Sequence, residues 1–113
     1  MSIKTEKLGS LFTKEISIII NEEIKDNNIR FITITGCDVT NDLSFAKVYF
    51  TTLNESFRDV TTTALNKAAN FIELELSKKI DIRKMPQISF HYDESIEYGN
   101  KIEKIIEEIN KED

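Results

Sequence analysis

An α+β domain is what this sequence predicts, and three observations predict it. Three short runs alternate apolar and polar residues with period two: Arg30 to Thr35, Phe45 to Thr52, and Ile88, Phe90 and Tyr92 behind Pro86. Around them, apolar residues recur every three or four positions, the spacing of helices that bury one face. No repeat or low-complexity linker interrupts the 113 residues, so a single domain over 1–113 is expected, with about 1–4 and 110–113 as candidates for disorder.

Taken in order, residues from about 5 to 25 place Leu8, Leu11, Phe12, Ile16, Ile19 and Ile20 on one helical face, and Asp26-Asn27-Asn28 breaks the helix. Arg30 to Thr35 and Phe45 to Thr52 are rich in β-branched and aromatic residues, and Thr40-Asn41-Asp42 has turn chemistry, so the two form an antiparallel hairpin. Asp42 is expected to bond main-chain amides of that turn. From Asp59 to Ile80, the residues Thr61, Leu65, Ala68, Ile72, Leu76 and Ile80 keep helical period. Three consecutive threonines and the small pair Ala68-Ala69 before Asn70 predict a kinked helix, or two helices meeting near Ala69, rather than one straight rod. Pro86 opens the third strand. Asp93 or Ser95 would cap a last helix whose stripe is Ile102, Ile105, Ile106 and Ile109. The expected order is helix, strand, strand, helix, helix, strand, helix, packed as two layers with helices covering one face of a three-stranded sheet.

Net charge is −5, but it is unevenly placed. From Asp93 to Asp113 there are eight acids against three lysines, so the preceding residues balance, and Lys78, Lys79, Arg83 and Lys84 against Asp81 leave a local excess of cations. Phosphate responds to the field within about 8 Å at physiological salt, so a basic face coexists with an acidic tail. A Lys/Arg cluster is also what an ordinary solvated face looks like. No apolar run reaches membrane-spanning length, and the lysines of Met1 to Lys7 precede no apolar core, so neither a membrane anchor nor a signal peptide is expected. A single cysteine, Cys37, allows no internal disulfide and fits a cytoplasmic protein.

Catalytic patterns are absent from the sequence. His91 is the only histidine and has no companion to make a metal site; it reads as an exposed strand residue facing away from Phe90. Cys37, at a strand end beside Asp38, reads as a small half-buried apolar residue. Glu22-Glu23 and Glu107-Glu108 are about 100° apart around their helices and face water rather than each other. No phosphate-binding loop, dinucleotide fingerprint or nucleophile elbow occurs, so no enzyme activity, cofactor or metal is expected. Phe45 and Tyr49 share one strand face, opposite Ala46, Val48 and Phe50. An exposed aromatic pair could stack on bases, although ordinary sheet surface is the commoner use.

Two segments carry a family resemblance: Asp38-Val-Thr-Asn-Asp-Leu-Ser-Phe-Ala-Lys-Val-Tyr-Phe50 and Lys84-Met-Pro-Gln-Ile-Ser-Phe-His-Tyr-Asp-Glu-Ser-Ile96. Together they resemble the turn with second strand, and the third strand with its exit, of the ribosome-binding factor A family. Glu15-Ile16, Ile24-Lys25-Asp26 and Leu65-Asn-Lys-Ala-Ala-Asn-Phe-Ile72 extend the resemblance over nearly the whole chain. It implies a type II KH-like fold and a non-enzymatic assembly factor that binds the free, immature small ribosomal subunit. The contact would be to its rRNA near the 5′ end and decoding region, promoting late processing, with a link to cold adaptation. The implied protein is a monomer with no membrane contact, and an assembly GTPase is a candidate trigger of its release.

A GxxG loop is the usual RNA grip of KH domains. With glycines only at Gly9, Gly36 and Gly99, this chain has none. In the family an Ala-x-Gly kink replaces that loop, and the matching residues here are Ala68, Ala69 and Asn70; asparagine tolerates left-handed backbone next best after glycine. The implied RNA-binding residues are those three with Lys67, then Lys78, Lys79, Arg83 and Lys84, and, along the first helix, Lys4, Lys7 and Lys14. Lysine keeps attraction to phosphate but lacks the bidentate fork of the arginines that the family tends to carry at the first helix. The alternative is a small α+β protein- or ligand-binding module that self-associates through its sheet or last helix; its affinity would lack the steep salt dependence of RNA docking.

Overall fold

A computed structural model describes residues 3–29 and 31–95. Helix α1 spans Ile3–Glu23, strand β1 Ile32–Val39, and strand β2 Phe45–Thr52. A single 3-10 turn over Glu55–Phe57 leads into α2, Arg58–Lys67, which is followed by α3, Ala69–Lys79, and β3, Gln87–Tyr92. The sheet order is β1-β2-β3, with β1 antiparallel and β3 parallel to β2. The layers and element order are those expected up to the last helix, whose stripe Ile102 to Ile109 lies outside the described residues.

Alternation along β2 decides which face is covered. Ala46, Val48 and Phe50 are fully buried beneath the helices, together with Ile88 and Phe90 of β3, while Phe45 and Lys47 are exposed on the other face. Phe12, Ile16 and Ile19 of α1, Leu65 of α2, and Ile72 and Leu76 of α3 close the core from above. Each such side chain contributes about 1.5–3 kcal/mol by leaving water.

Strand β1 is longer than its periodicity suggests and starts later, covering Ile32–Val39 rather than Arg30 to Thr35. A bulge between Ile34 and Gly36 shifts the register, so Gly36 to Val39 continue to pair, ending with Val39 opposite Ala46. A bulge breaks strict alternation, which is why the pattern fades in the sequence. Cys37 therefore lies within the strand and not at its end. The turn that follows bonds through Asp42, as a turn aspartate does: its Oδ1 accepts from the Thr40 hydroxyl at 2.8 Å and the Ser44 amide at 3.0 Å. The residue that takes left-handed backbone there is Leu43, φ 60°, rather than the neighbouring Asn41 or Asp42.

The kink is present but is built differently from the expectation. Ala68, φ −86° and ψ −3°, ends α2, and its amide is shared between the carbonyls of Ala64 and Leu65 at 3.1 Å each. Asn70 lies inside α3, and neither it nor Ala69 has positive φ, so no glycine-like conformation is needed for this kink. Small side chains serve another purpose here: Ala69 is buried against the core.

Both sheet edges are closed by helices. Thr40 donates its amide to the Phe45 carbonyl across the hairpin, and ladder bonds alternate by two, which turns the Cys37 carbonyl outward from β1. Gly9 of α1 packs directly on that carbonyl. At the far edge, Glu73 accepts from the Ile88 amide at 2.8 Å, while Asn66 accepts from the Phe90 amide at 2.9 Å and donates to its carbonyl at 3.2 Å, as a fourth strand would. Asn66→Ala is expected to cost about 1–3 kcal/mol through the unpaired Phe90 groups and to expose an edge for chain-to-chain pairing. A lowered urea midpoint with increased light scattering would bear this out, and an unchanged midpoint would count against it.

Candidate nucleic-acid interface

Packing brings one set of the implied cations together and separates another. Gly9 on the end of β1, and a cleft between Ser17, Ile20 and Asn21 of α1 and Ile32 to Ile34, show that α1 runs antiparallel to β1. Helix α3 is antiparallel to α1 in turn: Lys79 pairs with Glu15 at 3.7 Å, whereas Phe71 and Ala68 share a cleft with Glu23 and Ile24. Lys84, on the loop to β3, donates to the Ser44 hydroxyl at 3.3 Å in the hairpin turn. The start of α1, the end of α3, the 80–86 loop and the hairpin turn thus meet at one end of the domain.

That end is basic. Lys7, Lys78, Lys79, Arg83 and Lys84 are exposed there. Lys14, also exposed, lies seven residues from Lys7 and so shares its helix face. Lys4 belongs by its backbone to the first turn of the same helix. Of the carboxylates nearby, Glu15 is held by Lys79, Glu75 by Lys78 at 3.1 Å and Asp42 by its own turn, while Glu6, Asp38 and Asp81 are exposed at the same end. The Thr40 hydroxyl, the Ser44 amide and hydroxyl, and the charge of Lys84 hold the Asp42 carboxyl below its usual range. The carboxylates of these pairs are largely covered, at 19% and 20% exposure, whereas Lys79 and Lys78 keep 34% and 62% of their side chains exposed to solvent.

The kink is at the other end of α3, about 16 Å away for eleven residues at 1.5 Å each. Lys67 is exposed beside it but lines a cleft with Asp26 and Asp59, and the adjoining cleft holds Glu23, Lys25 and Asp26 around Ala68 and Phe71. Acids therefore outnumber cations in these two clefts, three to two. Ala68, Ala69, Asn70 and Lys67 do not form one strip with Lys78 to Lys84, and no side chain caps the start of α3. Arg58 is committed elsewhere: its guanidinium stacks 4.8 Å from the Tyr92 ring centroid and bonds Glu94 at 2.7 Å.

Sequence reasoning did not place the hairpin turn beside Lys84, because forty residues separate Ser44 from it. Other groups resemble structural side chains. His91 is exposed, with Nε2 2.9 Å from Ser89 Oγ and its ring tilted against Tyr49. Burial, then the Asp38 charge, pushes the half-buried Cys37 thiol up to about 12, so it stays protonated at neutral pH. Among the described residues no three His, Cys, Asp or Glu side chains group to hold a metal ion, and no helix is long and apolar enough to cross a membrane.

Fold and basic end define a class: small two-layer α+β domains that present a cationic end built by two helix termini and a hairpin turn. The chain belongs to the ribosome-binding factor A family, whose sequence profile matches residues 4–106. It is 51% identical to ribosome-binding factor A of Staphylococcus carnosus over 112 residues, 98% of this chain and 97% of that protein. With the Macrococcus caseolyticus protein of the same name, identity is 45% over 113 residues, 99% of each. The crystal structure of ribosome-binding factor A from Thermus thermophilus has the same fold, with a TM-score of 0.71 at 18% identity over 78% of this chain and 94% of that one. A homology model of the Thermus thermophilus factor, as fitted into the cryo-EM map of its complex with the 30S subunit, matches with a TM-score of 0.66 at 18% identity over 77% and 92%.

Proposed function

We propose that this protein is a non-enzymatic assembly factor that docks its basic end on the RNA of the immature small ribosomal subunit. The observation that carries this reading is the convergence of Lys7, Lys78, Lys79, Arg83 and Lys84 on one end of a chain whose net charge is negative. Family membership supports the choice of partner, as does the Thermus thermophilus factor of the same fold that has been fitted into a 30S complex. The contact lies near the 5′ end and decoding region of the rRNA, where the protein favours a late precursor conformation and so promotes processing in the cytoplasm, most needed in the cold. It acts as a monomer, and an assembly GTPase triggers its departure.

Physically, a protein without chemistry shifts an RNA folding equilibrium only by binding one state better than the other. A preference of about a hundredfold corresponds to roughly 2.7 kcal/mol, within reach of a few phosphate contacts. Position matters as much as number. β3 leaves the sheet at Tyr92 beside Arg58, away from the hairpin turn, so the acidic stretch from Asp93 begins about 20 Å from the basic end for a six-residue strand. Asp93 and Glu94 are thereby more than a screening length from the hairpin-turn end.

Co-sedimentation with free small subunits and, separately, with complete ribosomes across a salt series tests the proposal. Binding selective for free subunits and falling log-linearly with salt is the expected result. Folded protein that fails to bind at low salt would overturn it, and salt-insensitive binding would favour an apolar interface instead.

A further inference from the structure

On the sheet face away from the helices, one aromatic side chain borders the basic end. Phe45 opens β2, is 54% exposed, and follows Ser44, whose hydroxyl holds the Lys84 ammonium at 3.3 Å. Its backbone is fixed: the Phe45 amide donates to Thr40 Oγ1 at 3.1 Å, and its carbonyl accepts from the Thr40 amide at 3.0 Å. Gln87, its partner on β3, is exposed beside it, and Lys47 is exposed two residues along the same face. A large apolar ring on a rigid strand end, with the Lys84 cation on one side of it and Lys47 opposite Asp38 on the other, matches an unpaired nucleotide whose flat base carries a phosphate toward the hairpin turn.

We propose that Phe45 is a stacking platform for a single unpaired base of the small-subunit RNA, with Lys84 on a flanking phosphate and Gln87 facing the base edge. The site rests on the docking function above and adds to it the kind of RNA that the basic end receives: a single-stranded nucleotide rather than helix alone. Stacking is sequence-tolerant, because every base has a π-face, whereas the Gln87 amide offers both a donor and an acceptor to a base edge.

Other exposed apolar side chains lack this setting. Phe31 and Leu53 face each other at the opposite end of the hairpin, and Phe57 precedes Arg58, already engaged by Tyr92 and Glu94. Farther along β2, Tyr49 stands near Asp38 and Asp93; partial burial and then these carboxylates raise its pKa, which marks a region that repels phosphate. The platform is therefore one base long.

The chain has three tyrosines but no tryptophan, so Phe45→Trp installs a sole tryptophan, which can be excited apart from the tyrosines. The full-length variant is titrated with free small subunits, with a six-nucleotide single-stranded RNA, and with an RNA duplex of equal length. Expected are strong quenching by the subunits and the single strand, little by the duplex, and about tenfold weaker subunit binding for Phe45→Ala with an unchanged salt slope. Equal quenching by the duplex overturns the platform, since proximity of charge would then suffice. Unquenched tryptophan with salt-sensitive subunit binding intact also overturns the platform while leaving the docking function standing. Absence of any subunit binding by the unsubstituted protein removes both.

Discussion

Replacing Lys78, Lys79, Arg83 and Lys84 together by alanine is expected to weaken binding to free small subunits by about two orders of magnitude near physiological salt, and to flatten the salt dependence by about three units of log-log slope. The slope follows from four lost phosphate contacts at about 0.7–0.9 each. The affinity loss exceeds a simple count because two lysines also hold carboxylates: without Lys79 and Lys78, Glu15 and Glu75 face the RNA uncompensated. Removing four charges thus leaves Lys7 and Lys14 against Glu6, Glu15, Asp38, Asp42, Glu75 and Asp81. Folding should survive, since these side chains are solvated and their ion pairs contribute at most about 1 kcal/mol each. Lys67→Ala is the contrasting case. Lys67 lines a cleft with Asp26 and Asp59 at the kink, so its loss is expected to leave both affinity and slope nearly unchanged. Equal effects of the two variants would show that the contact strip runs along all of α3 instead.

Gly9→Ala is expected to destabilise the protein by about 1–3 kcal/mol although the residue lies in the middle of a helix. Two effects compete. Alanine in place of glycine gains about 0.8–1.0 kcal/mol of helix propensity. Against it, a Cβ at position 9 would overlap the Cys37 carbonyl oxygen, and the obstacle is main chain of a paired strand, which cannot rotate aside. Overpacking against backbone wins, because relief requires moving α1 off β1 and opening contacts of Phe12 and Ile16 with the core. Urea denaturation reads the change directly, and Ser10→Ala, at an exposed position one residue on, should be neutral or slightly stabilising. A stabilised Gly9→Ala variant would mean that the helix does not seal the strand edge this closely.

Much of the fold is legible in the sequence because burial leaves a periodic trace. α1, β2 and the α2–α3 pair follow from apolar spacing alone, and Pro86 marks the start of β3. β1 differs from its expected bounds at both ends, since its bulge removes the alternation by which a strand is recognised. The left-handed Leu43 has no precursor in the sequence, where Asn41 and Asp42 are the better candidates; the turn's geometry is set by the Thr40 and Asp42 bonds rather than by local preference. Asn70 differs in the opposite sense. Compared with a glycine pattern it suggests special backbone, yet the kink resides at Ala68 in ordinary right-handed geometry.

For the site, residue identity and spacing supply the cations and the family that gives them meaning, because both are local properties that alignment preserves. Which of those cations act together is a matter of packing. Lys7 and Lys84 are far apart in sequence and lie toward the same end of the domain, whereas Lys67 and Lys78 are on adjoining helices and are held apart by the length of α3. Electrostatic attraction depends on distance through space, and distance through space is fixed by how α1, α3 and the hairpin pack. A two-layer α+β chain of the ribosome-binding factor A family can thus be read from the residues in order. The polarity of its charge, with a basic end at the hairpin turn and clefts at the kink where acids outnumber cations, exists only once the helices have settled on the sheet.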